Sequence, residues 1–319
     1  MRTREIKVFF ATDIHGSDRC FRKFVNAGKF YGADVLIMGG DITGKMLVPI
    51  VESAGGRYRS HVFGRDREVG EEELPALRKL IADAGFYAYD TTPDEIAEFR
   101  ERPQLVEDTF RKHMHETLSA WMSLAEERLA GTGIMCLLAP GNDDPLFVDD
   151  VLGASDMLIN PEGRLVELPA GFTMISVGYS NPTPWDSPRE LPEEQLSERI
   201  DREAAKVPDM SKAIFNLHVP PKDTPIDQAM LLDEEFRPVM KSGSPMIAGV
   251  GSRAVRAAIS TYQPLLALHG HIHESRGEAK IGGSRSINPG SEYSEGVLRG
   301  ALLTLSVRKG LRGYQLVAG

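Results

Sequence analysis

Long apolar runs are missing from this chain of 319 residues, and nothing in it approaches the roughly eighteen consecutive apolar residues that a membrane-spanning helix needs. The first apolar segment, Ile6-Lys7-Val8-Phe9-Phe10, is too short and too charged to be the core of a secretory leader. A cytoplasmic protein that does not enter a membrane is therefore expected. Cysteine is scarce as well: Cys20 and Cys136 are the only two, which excludes a disulfide framework, and their apolar neighbours mark both as reduced core thiols. Positive charge is in deficit, with 37 Lys and Arg against 46 Asp and Glu for a net charge of −9. Capture of extended DNA or RNA relies on surface cations that release counterions, so the charge balance opposes that class of partner and favours a small substrate. Internal repeats and low-complexity tracts are also absent.

What is present is an alternation of buried strands and helices. Apolar runs at Ile6 to Ala11, Val35 to Met38, Ile134 to Ala139, Phe172 to Val177, Ala213 to Leu217, Leu265 to Leu268 and Ala301 to Ser306 each end in a polar or Gly-rich turn. Helical patterns such as Asp18 to Tyr31 and Ser252 to Thr261 lie between them, so an α/β fold with function at the strand ends is expected. Length and composition suit one domain over 1–319. Residues 45–131 break the rhythm with a hairpin over Val48 to Val69 around Gly55-Gly56, then helices over Glu71 to Ala84, Pro93 to Arg100 and Gln104 to Leu129. This mainly helical insertion is expected to serve as a cap or as an interface in a homo-oligomer. Tyr179 to Gln195, rich in Pro, Ser and Asn, has the composition of a structured loop at the edge of a site.

Five clusters of metal-ligating residue types follow directly after predicted strands. They are Asp13-Ile14-His15, Gly39-Gly40-Asp41, Gly141-Asn142-Asp143-Asp144, His218 before Val219-Pro220-Pro221, and Gly270-His271-Ile272-His273. Any one of them is more often a capped turn or a satisfied core histidine. All five at the carboxyl ends of buried strands would converge on one sheet edge, and that agreement favours a metal site.

In order, these blocks resemble those of the calcineurin-like metallophosphoesterases: D-x-H, G-D, G-N-[HC]-[DE], a lone His, and G-H-x-H. The resemblance implies two β-sheets packed together and flanked by helices in four layers. It implies two divalent transition-metal ions, one held by Asp13, His15, Asp41 and His273, the other by Asp41, Asn142, His218 and His271, with Asp41 bridging. The implied activity is hydrolysis of a small phosphoester by in-line attack of a metal-bridging hydroxide, with Asp41, Asn142 and Asp143 as catalytic candidates. Donors rich in imidazole and carboxylate suit manganese, iron, zinc, cobalt or nickel, and manganese is the first choice.

One position departs from the family. Many relatives carry a His after the Asn of the third block, where this chain has Asp143, and an ionised carboxylate there would repel a phosphoryl oxygen. Family members without that His resemble phosphodiesterases, so a diester is preferred to a monoester. The inserted hairpin concentrates Arg57, Arg59 and His61, which are expected to reach the site and contact substrate together with Asn142. Asp144, His269 and Asn288 are expected to orient the ligands, and Asn181 to border the pocket. His113 and His115, two apart on a helix, point in different directions and form no chelating face. Two rival readings remain: a nucleotide pyrophosphohydrolase with a base pocket from Tyr58, Phe63 or Trp185, and a metal-binding scaffold for protein interaction.

Overall fold

Each central strand carries apolar side chains on both faces, which forces it to be covered on both sides. In the computed structural model, which describes residues 5–233 and 235–319, strand Glu5–Ala11 directs Ile6, Val8 and Phe10 into one core and Phe9 and Ala11 into another. Val35–Met38 divides in the same way, with Val35 and Ile37 on one side and Leu36 and Met38 on the other. This follows from the two-residue period of a strand.

Two six-stranded sheets result. The first runs, edge to edge, Gly310–Ala318, Arg299–Ser306, Glu5–Ala11, Val35–Met38, Met135–Leu138 and Leu158–Ile159. The second runs Gly277–Ile281, Ser284–Asn288, Leu266–Leu268, Ala213–Leu217, Phe172–Val177 and Val166–Leu168. Glu5–Ala11, Val35–Met38 and Met135–Leu138 run parallel in the first sheet, as do Phe172–Val177, Ala213–Leu217, Leu266–Leu268 and Ser284–Asn288 in the second, so within each sheet their carboxyl ends emerge at one edge. Between the sheets lies the core of Val8, Phe10, Ile37, Met174, Ile214 and Leu303. Helices Asp18–Tyr31 and Pro103–Leu129 cover the outer face of the first sheet, and Glu193–Ala204 and Arg253–Tyr262 that of the second. The architecture is thus the four-layer sandwich expected from the sequence.

Helix Asp18–Tyr31 begins where the Ser17 hydroxyl accepts from the Cys20 amide at 3.3 Å and ends at Gly32, whose φ of 60° suits a residue without Cβ. Its start is fixed immediately beyond His15, so a helix cap limits the freedom of a candidate ligand.

Within 45–131 the helices lie close to their expected bounds, as Leu74–Asp83, Pro93–Glu101 and Pro103–Leu129. The strands differ from expectation. The expected single hairpin over Val48 to Val69 is a three-stranded meander of Leu47–Ser53, Arg57–Val62 and Arg65–Gly70, and the short run Tyr87–Thr91 joins as a parallel neighbour of Leu47–Ser53, giving a four-stranded sheet. Tyr-Ala-Tyr-Asp-Thr is not the continuous apolar run that marks the core strands, and pairing with Leu47–Ser53 decides it. This segment has its own small core of Val48, Ile50, Val62, Leu74, Leu77 and Ile81. It braces the His15 loop: Ser17 donates to the Asp83 carbonyl at 2.5 Å, and a Cβ at Gly85 would meet the His15 carbonyl at 2.2 Å.

Candidate metal centre

Backbone hydrogen bonds lace the strand-end loops together before any side chain is considered. Asp13 donates its amide to Gly40 at 2.9 Å, His15 donates to Asp41 at 3.0 Å, and Gly270 donates to His218 at 2.9 Å. Two close approaches demand glycine: a Cβ on Gly141 would lie 2.2 Å from the Asp41 carboxylate, and one on Gly270 would lie 2.2 Å from that of Asp13. Asp13, His15, Asp41 and His271 all have positive φ, between 39° and 66°. Such conformations cost roughly 1–3 kcal/mol each for residues with a Cβ, and their concentration here marks a site where geometry was favoured over local stability.

The side chains converge accordingly. Asp13, His15 and His273 form one group and Asp41, His218 and His271 a second, with ligand atoms in each group within 4.8 Å of one another. His15 Nε2 and His273 Nε2 face each other at 3.0 Å. His218 Nε2 is buried without a hydrogen-bond partner, 3.3 Å from Asp41 Oδ1 and 3.8 Å from Asp13 Oδ1. Asn142 joins the second group through its Oδ1, 2.7 Å from His271 Nδ1. Asp41 lies between the groups, with Oδ2 3.6 Å from His15 Nε2 and Oδ1 3.3 Å from His218 Nε2.

Charge is unbalanced in this cluster. Burial pushes the Asp41 carboxyl up to about 6, helped by the neighbouring Asp143 and Asp13 charges and opposed by His218. Burial disfavours a charged His218, yet the Asp41 and Asp13 carboxylates hold it protonated, up to about 10. Burial opposes ionisation of Asp13 too, but the hydrogen bond from His273 and the charge of His218 hold it well below the usual carboxylate range. Burial, followed by repulsion from His218, drives His271 down to about 3. Buried carboxylates are here competing for scarce positive charge. Facing imidazole nitrogens and an unpartnered His218 nitrogen fit bound cations better than they fit an apolar core or a proton network, so the residues present suit a pair of divalent metals.

The supporting residues have separate duties. Asp144 accepts from Gly141 at 2.7 Å, from Thr43 at 2.8 Å through its amide and 2.7 Å through its hydroxyl, and from Ile42 at 3.0 Å, pinning the Asp41 loop to the Asn142 loop. His269 spans to the Leu217 carbonyl at 2.7 Å beside His218. Asn288 donates to the Ile272 carbonyl at 2.9 Å and the Gly270 carbonyl at 3.3 Å, fixing the turn that carries His271 and His273. His113 lies on the inserted helix against Tyr89, and Asn181 reaches the Val250 carbonyl at 3.4 Å.

The expectation for the inserted hairpin is corrected. Arg57 and Arg59 pair with Glu68 at 3.3 and 2.8 Å, His61 with Asp66 at 2.7 Å, and none of the three lines the cavity over the cluster. Strand pairing between Arg57–Val62 and Arg65–Gly70 sets acid across from base, so these cations are satisfied by their own hairpin. Tyr58 packs on the small core of the insertion and Phe63 beside Phe86, so neither builds a base pocket, whereas Trp185 does line the cavity.

Three site residues escaped the sequence reading. Lys45 stands 2.6 Å from Asp143 Oδ2 and lines the cavity. Tyr293 packs its ring on His15 with centroids 4.7 Å apart. Arg189, with its side chain fully buried, donates to the Asp144 carbonyl at 2.7 Å and the Pro145 carbonyl at 3.1 Å, and pairs with Asp149 at 3.0 Å. A lysine four positions after Asp41, at the junction with the insertion, was a usable signal for the first; nothing local announced the others. Arg189→Ala should destabilise the fold by about 3 kcal/mol or more, because it strands two buried carbonyls and a paired carboxylate. Thermal unfolding of the metal-free protein checks this, and an unchanged melting temperature would contradict the clamp.

No protein-family model matches the chain. An uncharacterised protein of Methanocaldococcus jannaschii is 28% identical over 155 residues, which are 48% of this chain and 62% of that protein, so the match spans under two thirds of the relative. One solved crystal structure superposes over 98% of this chain and 99% of its own, with a TM-score of 0.57 at 15% identity. The Thermus thermophilus protein TT1561 does so over 99% of each chain, with a TM-score of 0.51 at 14% identity. The fold is therefore shared with solved structures. The five blocks that resemble those of the calcineurin-like metallophosphoesterases lie at the strand ends of this shared fold. Among the described residues, no helix is long and apolar enough to cross a membrane.

Proposed function

We propose that this protein is a metal-dependent phosphohydrolase whose site takes a small phosphodiester in preference to a monoester. The observation that carries the reading is the convergence of Asp13, His15 and His273 beside Asp41, His218 and His271, from separate strand ends, against a cavity of about 920 Å³. Asp13, His15, Asp41 and His273 would hold one cation and Asp41, Asn142, His218 and His271 the other, with manganese the first to supply. When bound, two such cations acidify a water and offset charge on the phosphoryl oxygens.

The chain's own residues support the diester preference. Asp143 accepts from Lys45 at 2.6 Å, Ser187 at 2.7 Å and Asn142 at 2.9 Å, so it is an acceptor with its charge compensated. The Lys45 side chain is 44% exposed, and its ammonium, with three donors, can turn one toward a phosphoryl oxygen. Because Lys45 and Asp143 cancel, the site adds little positive charge to that of the cations, which suits a singly charged diester better than a dianionic monoester. Segment 45–131 is taken as an insertion within one phosphoesterase domain, bracing the His15 loop. Two free buried thiols, Cys20 and Cys136, suit a reducing cytoplasm.

The test is hydrolysis of bis-p-nitrophenyl phosphate beside p-nitrophenyl phosphate by metal-stripped protein, with manganese restored. Turnover that depends on the metal and is faster for the diester is expected. Two cations bound per chain with no turnover of either ester would favour the scaffold reading instead. Metal restoration should also raise the melting temperature, since ligands that bind only the folded chain stabilise it by mass action.

A further inference from the structure

On the phosphohydrolase reading above, we infer that one ester group of the substrate is a hydrocarbon chain, bound along an apolar wall of the cavity that holds the ligand cluster. The cavity of about 920 Å³ is far larger than a phosphoryl group requires, and its lining is mixed in chemistry. Its lining joins the polar Asp41, Asn142, Asp143, His271 and His273 to the apolar Trp185, Met230, Leu231, Leu232 and Val250. Trp185 is 62% exposed, Met230 45% and Leu231 36%, a concentration of large apolar side chains left facing solvent. Phe236, 51% exposed, lies with its ring 6.2 Å from that of Trp185 and extends the wall beyond the rim.

The wall is anchored to the site. Glu190 accepts from the Thr183 amide at 2.8 Å and the Ser187 amide at 3.0 Å, holding the turn that carries Trp185. From the same turn, Ser187 donates to Asp143 at 2.7 Å. On the other flank, Gln228–Met230 pairs with Ile247–Gly249, and Ser275, two residues past His273, donates to the Gln228 carbonyl at 2.5 Å. A chain lying on Trp185 and Met230 would therefore start from a phosphate seated at the cluster.

The choice of hydrocarbon over nucleobase follows from the polar groups along that wall. A base would need free donors and acceptors at its edges, but Lys222 is committed to the Gly249 carbonyl at 2.8 Å and Glu193 to Ser252 at 2.6 Å and Ala254 at 2.8 Å, while Asn181 gives its amide to the Val250 carbonyl at 3.4 Å and keeps one free acceptor in Oδ1. Beside the few polar groups left, Asn181 Oδ1, Arg253 and Glu274, the lining offers mainly the aliphatic and ring surface of Trp185, Met230, Leu231, Leu232 and Val250, which a hydrocarbon covers along its length.

The experiment uses the manganese-loaded full chain and a series of alkyl p-nitrophenyl phosphate diesters from methyl to octyl. Each methylene buried on the wall should raise kcat/KM about three- to fourfold over the first several carbons. In Met230→Ser/Leu231→Ser and in Trp185→Ser the increment should fall below about twofold per methylene. Turnover with no dependence on chain length overturns the inference while leaving the phosphohydrolase intact, and so does a dependence that the wall variants do not alter. A flat series combined with self-association that Met230→Ser/Leu231→Ser abolishes in sedimentation would assign the wall to a second copy of the chain instead. No turnover of any ester, methyl included, fails the parent reading and the inference with it.

Discussion

Asp41→Asn is expected to abolish metal-dependent hydrolysis, lowering kcat/KM on bis-p-nitrophenyl phosphate by about a thousandfold or more. This exceeds the roughly 10- to 100-fold that loss of a partner supporting a ligand usually costs, because Asp41 faces both groups rather than steadying one of them. Its carboxylate is 2% exposed, takes the Asp143 amide at 2.9 Å, and sits 3.3 Å from His218 and 3.6 Å from His15. Asparagine preserves size and one acceptor oxygen but removes the charge on which two neighbouring cations would depend. Metal content measured on the purified variant should fall below two ions per chain. Folding should survive, since the substitution also removes a carboxyl that burial already pushes up to about 6. A variant that is folded, holds two ions and retains wild-type turnover would remove Asp41 from its proposed place between the cations.

Lys45→Met carries the second large effect. Loss of a donor aimed at developing phosphoryl charge costs on the order of 10²–10³ in rate, and here it also exposes the Asp143 carboxylate to the substrate. Metal content should not change, which separates this variant from those of the ligands. Adding Asp143→Asn to Lys45→Met should recover part of the loss, because the second change removes the repulsion that the first uncovered. If Lys45→Met is silent, or if the double variant is slower than the single, Lys45 and Asp143 do not act as a compensated pair.

That pair also shows how the chain's one departure from the family pattern is accommodated. An aspartate in place of histidine appears to the sequence as a repulsive charge next to an incoming phosphate. In the folded protein Lys45, Ser187 and Asn142 all donate to it, and Lys45 is brought there by the loop that follows Asp41. The side chains first expected at the site, Arg57, Arg59 and His61 of the inserted hairpin, are instead paired with Glu68 and Asp66 across strands. Both misplacements have one cause: the partner of a charged side chain is chosen by strand register and loop path, neither of which composition reveals.

The sequence by itself determined that Glu5–Ala11, Val35–Met38, Met135–Leu138, Ala213–Leu217 and Leu266–Leu268 are buried strands, since each is apolar on both faces and stops at a polar turn. Polar turns of that kind in parallel strands are enough to send Asp13, His15, Asp41, Asn142, His218, His271 and His273 to the edges of the sheets. Only the tertiary structure decided which imidazole faces which carboxylate, that Tyr87–Thr91 is a strand, and that Arg189 rather than any hairpin arginine reaches the Asn142 loop. It also decided that residues from Trp185 and from Met230 to Leu232, separated by more than forty positions, share one wall of the cavity. Local periodicity is a property of adjacent residues and can be read along the chain. Which charges pair and which apolar surfaces meet depends on contacts closed over long loops, and those exist only once both sheets have packed.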